Sequence, residues 1–126
     1  MFSHVMVGAN DIQASKRFYD AVLGTLGHAP GFEDSHGRFI YKSDSGIFIL
    51  TLPLNKQPAT GANGGTIGFL ASSPEAVDAW HKAGVENGGT TCEDPPGKRP
   101  SGLYLAYLRD PAGNKLCGLY TEKGKL

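Results

Sequence analysis

The segment His4-Val5-Met6-Val7-Gly8-Ala9-Asn10-Asp11, moved 62 positions along the chain, lies over Thr66-Ile67-Gly68-Phe69-Leu70-Ala71-Ser72-Ser73. At the same offset Ala14 meets Ala76, Ala21 meets Ala83, Gly27 meets Gly89, and Phe18 falls on Trp80. Identities are few. The weight comes from order: a β-forming run, a capping residue, an amphipathic stretch and a glycine stop recur in sequence, which is the mark of an internal duplication. Each copy opens on a short strand, residues 4–7 and 66–70, rich in β-formers. Asn10 or Asp11 caps the first helix, and Ser73 followed by Pro74 is the N-cap and first-turn signature of the second. The first helix sets Ile12, Phe18 (or Tyr19), Val22 and Leu26 on one stripe, with Lys16, Arg17 and Asp20 towards water. The second does the same with Val77, Trp80, Ala83 and Gly84. Gly24 and Gly27 stop the first helix, and Gly88-Gly89 the second.

Three strand candidates come after each helix: residues 28–33, 38–43 and 46–53 in the first half, and 90–93, 103–109 and 115–121 in the second. Asp44-Ser45-Gly46 reads as a hairpin turn and Asp110-Pro111-Ala112-Gly113-Asn114 as the closing turn. Residues 55–65 carry no periodicity and read as a linker. The expected architecture is α+β: two tandem βαβββ modules (about 1–54 and 66–126) in one domain, forming a curved mixed sheet or open barrel around a cavity.

Composition bounds the function classes. The 126 residues are 40% hydrophobic, and 12 Lys plus Arg balance 12 Asp plus Glu. Zero net charge gives no counterion-release drive towards nucleic acid and no attraction to anionic lipid. The apolar runs are strand-sized, too short to span a bilayer, and no secretory signal opens the chain. A cytoplasmic domain with Cys92 and Cys117 as free thiols is expected.

Alternation along the strands separates their faces. Val5 and Val7 pack on the helix, leaving His4 and Met6 opposite. Ile67 and Phe69 do likewise, leaving Thr66 and Gly68 opposite. Phe48, Leu50 and Leu52 are expected on the helix side, with Ile47, Ile49 and Thr51 facing away. In the last strand Leu116 and Tyr120 go one way, Cys117 and Leu119 the other. Residues 48–52 are apolar on both faces, so the second face should also be covered, by the rest of the sheet or by a ligand.

The opening residues from Met1 to Ile12 and the run Arg17-Phe18-Tyr19-Asp20-Ala21-Val22-Leu23-Gly24 resemble the start of the glyoxalase, bleomycin-resistance protein and extradiol dioxygenase superfamily (vicinal oxygen chelate fold). The run Tyr107-Leu108-Arg109-Asp110-Pro111-Ala112-Gly113-Asn114-Lys115-Leu116-Cys117-Gly118-Leu119 resembles its closing signature. The resemblance implies two modules around a divalent metal, with ligands from the first and last strand of each. Carried across, the four positions are His4, Ile49, Thr66 and Cys117. Only His4 is a standard ligand, and Cys117 binds metal only as a thiolate. A full four-ligand zinc site is worth about 10–16 kcal/mol, roughly 3–4 per ligand. His4 alone then binds on the order of millimolar, and His4 with Cys117 about tens of micromolar.

The leading reading is a metal-free domain that binds a small organic ligand in a cavity lined by His4, Met6, Ile47, Ile49, Thr66, Cys117, Leu119 and one of Tyr104 and Tyr107. Lys98 and Arg99 are candidate contacts for an anionic group at its mouth. One alternative is a lyase, isomerase or dioxygenase dependent on Zn, Ni, Mn or Fe, with His4 and Cys117 as catalytic candidates. Another is a degenerate domain acting through protein partners. The resemblance also implies a homodimer.

Overall fold

Two capping side chains set where the helices begin. In the computed structural model, which describes residues 1–124 and residue 126, strand β1 (His4–Gly8) runs into Asp11. The Asp11 carboxylate accepts the Ala14 N–H at 3.0 Å and starts α1 (Ile12–Thr25). In the second half β5 (Ile67–Leu70) runs into Ser73, whose hydroxyl accepts the Ala76 N–H at 3.0 Å and starts α2 (Pro74–Glu86). These bonds satisfy amide groups that have no partner inside the helix. Gly27, at φ +89°, turns the chain out of α1.

Strands β2 (Phe32–Glu33), β3 (Phe39–Ser43) and β4 (Gly46–Thr51) complete the first module. In the second, β6 (Thr90–Thr91), β7 (Gly97–Lys98), β8 (Tyr104–Arg109) and β9 (Lys115–Tyr120) come after α2. The fold is the expected α+β pair of βαβββ modules, with two differences of detail. The strands anticipated at 28–33 and 90–93 are only two residues long, and the 95–102 loop contains β7, paired with β8. Leu52, expected on the helix side, lies past the end of β4 and is 52% exposed. Pro53 behind it has no N–H with which to extend the ladder.

The sheets are separate. One has the order β1-β4-β3-β2, with β1 parallel to β4. The other has the order β5-β9-β8-β6, with β5 parallel to β9 and β7 also on β8. Neither closes into a barrel, and among the described residues no ladder joins β1 to β5. The modules meet instead through their helix sides. Val7, Phe39, Tyr41, Phe48 and Leu50 of the first sheet, Ala106, Leu108 and Leu116 of the second, and the inner faces of both helices form one core. The rings of Phe48 and Phe69 meet edge-on at 5.5 Å across the seam.

Two glycines make this approach possible. A Cβ on Gly84 of α2 would lie 2.3 Å from Leu108 Cδ1 and 3.2 Å from both Phe18 and Val22, so the helices cross where α2 has no side chain. A Cβ on Gly118 would lie 2.7 Å from the Trp80 indole. The first module places Leu50 beside Val7 where the second places Gly118 beside Phe69. The larger helix aromatic of the second module therefore fits over the smaller strand residue.

A buried carboxylate pins the modules together. Asp110, 4% exposed, opens the turn between β8 and β9. Its Oδ1 accepts the backbone N–H groups of Ala112 and Asn114, each at 2.9 Å. Its Oδ2 accepts the Asn114 amide at 2.8 Å and the Tyr19 hydroxyl of α1 at 2.7 Å. Asn114 also donates to the Gly8 carbonyl of β1 at 2.9 Å. Burial, and then the neighbouring Asp110 charge, push the Tyr19 phenol well above its ordinary value, so it remains a donor.

Asp110→Ala should cost about 3 kcal/mol or more in urea unfolding, and Tyr19→Phe about 1 kcal/mol, because only the first leaves several buried donors unpaired. Gly84→Ala should destabilise by about 1–3 kcal/mol in the same measurement, although alanine is the better helix former by about 1 kcal/mol. Stabilisation by Gly84→Ala would contradict the close helix crossing.

Candidate functional site

Because both helix sides share one core, the other face of each sheet points outward. Ladder register lays out these outer faces row by row. On the first sheet His4, Ile47 and Lys42 form one row, and Met6, Ile49 and Ile40 the next. Phe32 stands beside Ile40 on β2 and is 49% exposed. On the second sheet Gly68, Cys117 and Tyr107 form one row, and Leu70, Leu119 and Leu105 the next. Met6, in the middle of β1, is 42% exposed, and Leu70, at the end of β5, is 55% exposed.

His4 is exposed, and its Nδ1 lies 2.9 Å from the Ser3 hydroxyl, which leaves Nε2 without a protein partner among the described residues. Cys117 is buried, with its Sγ directed at the Gly118 carbonyl at 3.6 Å. Burial pushes its thiol up, and a hydrogen bond with Tyr107 offsets this only in part. The thiol is therefore protonated at neutral pH, a poor nucleophile and a poor metal donor. Tyr107 shares the Cys117 face, and burial raises its phenol. Tyr104 stands on the helix side, pairs with Tyr120 and donates to Asp78 of α2 at 2.9 Å. Of the two tyrosines, Tyr107 is the one beside the candidate site.

The anticipated cavity set is thus divided between two outward faces. His4, Met6, Ile47 and Ile49 lie on the first sheet; Cys117, Leu119 and Tyr107 lie on the second, with Thr66 exposed just ahead of β5. One groove of 670 Å³, lined by His4, Val5, Ile47 and Phe69 among others, and another of 680 Å³, lined by Met6, Thr51, Thr66 and Asn114 among others, run along the seam between modules. Neither is lined by Cys117, Ile49 or Leu119. His4, Ile49, Thr66 and Cys117 are therefore not gathered around either groove of the single chain. The α1–α2 core turns the two faces away from each other.

Lys98 and Arg99 have different surroundings. Arg99 donates to the backbone carbonyls of Asp94, Pro95 and Gly97 at 3.0–3.2 Å and braces its own loop. Lys98 is in register with Tyr104, on the side away from Cys117. Charged groups overlooked in the sequence do reach the outer faces. Glu93, in the left-handed region at φ +57°, pairs with Lys115, whose ammonium lies 5.1 Å from the Tyr107 ring centre. Lys42 is the other. Reading alternation back from the Asp44-Ser45-Gly46 turn would have placed it opposite Ile47.

Among the described residues, no three His, Cys, Asp or Glu side chains are grouped to hold a metal ion. The sheets and their order are those of a known superfamily. The family model of the glyoxalase/bleomycin resistance protein/dioxygenase superfamily matches residues 1–117, and the chain belongs to that superfamily. A glyoxalase/bleomycin resistance protein from Albidiferax ferrireducens T118 is 61% identical, with a TM-score of 0.92 over 96% of this chain and 98% of that one. A glyoxalase-related enzyme from Fulvimarina pelagi (20% identity, TM-score 0.79, covering 96% and 88%) shares the fold. So does a lactoylglutathione lyase from Agrobacterium tumefaciens (24% identity, TM-score 0.66, covering 98% and 95%). The curated proteins return no match.

In the folded protein at pH 7.5, iodoacetamide should label Cys92, which is partly accessible, and spare Cys117 until denaturant is added. Peptide mass mapping reads this directly, and rapid native labelling of Cys117 would contradict a buried, protonated thiol.

Proposed function

We propose that this chain is a metal-independent binding domain of the superfamily, cytoplasmic, that takes a small organic ligand in a cavity completed by a second copy of itself. The supporting observation is the arrangement of apolar faces. Each sheet presents Met6, Ile47 and Ile49, or Leu70, Leu119 and Tyr107, on the face away from the helices, where Met6 is 42% exposed and Leu70 55%. A twofold pairing that sets the first sheet of one copy against the second sheet of the other covers both faces and makes two equivalent cavities. In that pairing the His4 row of one copy and the Cys117 row of its partner face the same space, which is where enzymes of the family hold their metal.

The donors at those positions fit a divalent ion poorly. They are one imidazole, one isoleucine, one threonine and one thiol that burial keeps protonated. Catalytic zinc sites use three protein ligands with an open fourth position. The lining instead suits an apolar body, and the chemistry this reading assigns to the site is recognition.

Among the described residues no helix is long and apolar enough to cross a membrane. Light scattering on gently purified protein should give the mass of two chains, and elemental analysis should find metal well below one per chain. Leu70→Asp should shift the mass to one chain and abolish binding of the neutral probe N-phenyl-1-naphthylamine while leaving the circular dichroism spectrum intact. A monomeric wild type overturns the reading. One tightly held divalent ion per chain overturns it in favour of the metal-dependent alternative built on His4 and Cys117.

A further inference from the structure

We propose that the ligand of this cavity carries an uncharged, flat aromatic group, which enters the groove between β1 and β5 and is held there among Tyr41, Phe48, Phe69 and Tyr120. The inference rests on the outer faces forming a ligand cavity, and adds the part of the ligand that the seam recognises.

The groove passes through the layer of strands. The two sheets end at β1 and β5, and among the described residues no ladder joins these edges. The 670 Å³ groove is therefore lined from both sides of the layer. His4, Ile47 and Leu70 belong to the outer faces, and Val5, Phe48 and Phe69 to the helix sides. Its inner end reaches Leu23 and Leu26 of α1. Gly68 stands at the opening, where a Cβ would have no atom within 4 Å. A molecule lying on the outer faces can thus extend a flat group between the two strands without displacing either.

The chemistry of the walls sets the class. Tyr41, Phe48, Phe69, Tyr120 and Phe2 all line this groove, whereas the 680 Å³ groove on the same seam has no aromatic lining. Phe69 and Tyr120 are half-buried, so their rings have surface left to contact, while Tyr41 and Phe48 are buried behind them. Phe48 already meets Phe69 edge-on at 5.5 Å and Tyr41 at 6.1 Å, and one more ring extends this cluster. Among the described residues no carboxylate lines the groove. Its one lysine, Lys42, directs its ammonium to the Phe32 ring of β2, at the edge of the sheet opposite the seam. A charged group entering between the strands would lose water without gaining a counter-charge, and an uncharged ring avoids that cost. The volume is that of small-molecule sites, about 300–1,000 Å³.

The test titrates the wild-type protein calorimetrically with 2-naphthol and with its saturated counterpart, decahydro-2-naphthol, and locates the bound probe by nuclear Overhauser contacts. 2-Naphthol should bind about tenfold tighter, as contacts with two or more rings provide, and its ring protons should contact Phe69, Tyr120 and Leu26. Phe69→Leu, which removes a ring and keeps an apolar side chain, should close the gap to about twofold through loss of 2-naphthol affinity. Tyr120→Leu should narrow it in the same direction, and serves alone if Phe69→Leu does not fold. Equal affinity of the two probes, a preference for the saturated one, or ring contacts confined to Met6 and Leu119 overturns the aromatic assignment and leaves the cavity standing. Failure of both probes and of N-phenyl-1-naphthylamine to bind overturns the cavity with it.

Discussion

The Asp110 carboxylate is the constraint on which the arrangement of the two modules depends. It closes the β8–β9 turn by accepting two backbone amides, holds the Asn114 amide, and receives the Tyr19 hydroxyl from the other module. Asn114 then reaches the Gly8 carbonyl at the end of β1. A single acidic side chain thus fixes a local turn, the depth of α1 against the second module, and the position of the β1 edge. Hydrogen bonds to a buried charge are stronger than neutral ones and costly to leave incomplete. The modules therefore have little freedom to slide over each other without giving up several bonds together.

Pinned in this way, the modules build their core from helix sides. Phe18, Tyr19 and Val22 interlock with Trp80 and Val77, and Gly84 lets the two helix backbones approach at their crossing. The inner faces of both sheets cover this layer. The shared core is thus formed on one side of each sheet, while Ile40, Ile49 and Cys117 are buried on the other. The exposure of Met6, Phe32 and Leu70 is a direct result of this choice of interface rather than of poor packing.

Local features were readable in the sequence because local physics sets them. Asp11 and Ser73 cap the helices, Gly27 and Gly88 turn the chain after them (Gly24 lies inside α1), and period-two alternation puts His4, Met6, Ile49 and Cys117 on the faces away from the helices. Residues 48–52 are apolar on both faces, but Leu52 falls past the end of the strand and is 52% exposed. The relation between modules was not readable. A helix stripe such as Phe18–Val22 looks the same whether it packs on its own sheet alone or also on a second helix. No periodicity reports that Tyr19 meets Asp110 across 91 positions of sequence. Lys42 was passed over for a related reason: a lysine near a turn reads as solvated until ladder register shows which face it occupies.

The residues at the family's ligand positions are consistent with one another in a way that single losses would not be. Ile49 lies between Met6 and Ile40 and is 9% exposed, so a carboxylate there would leave water without gaining donors. An isolated buried charge of that kind either costs several kcal/mol or neutralises itself. A protonated Cys117 imposes no such cost, because it behaves as a small apolar filler. The polarity remaining on these faces lies at their margins: Lys42 and His4 on the first sheet, and the Glu93–Lys115 pair above Tyr107 on the second. A cavity assembled from such faces has a dry floor and a charged edge.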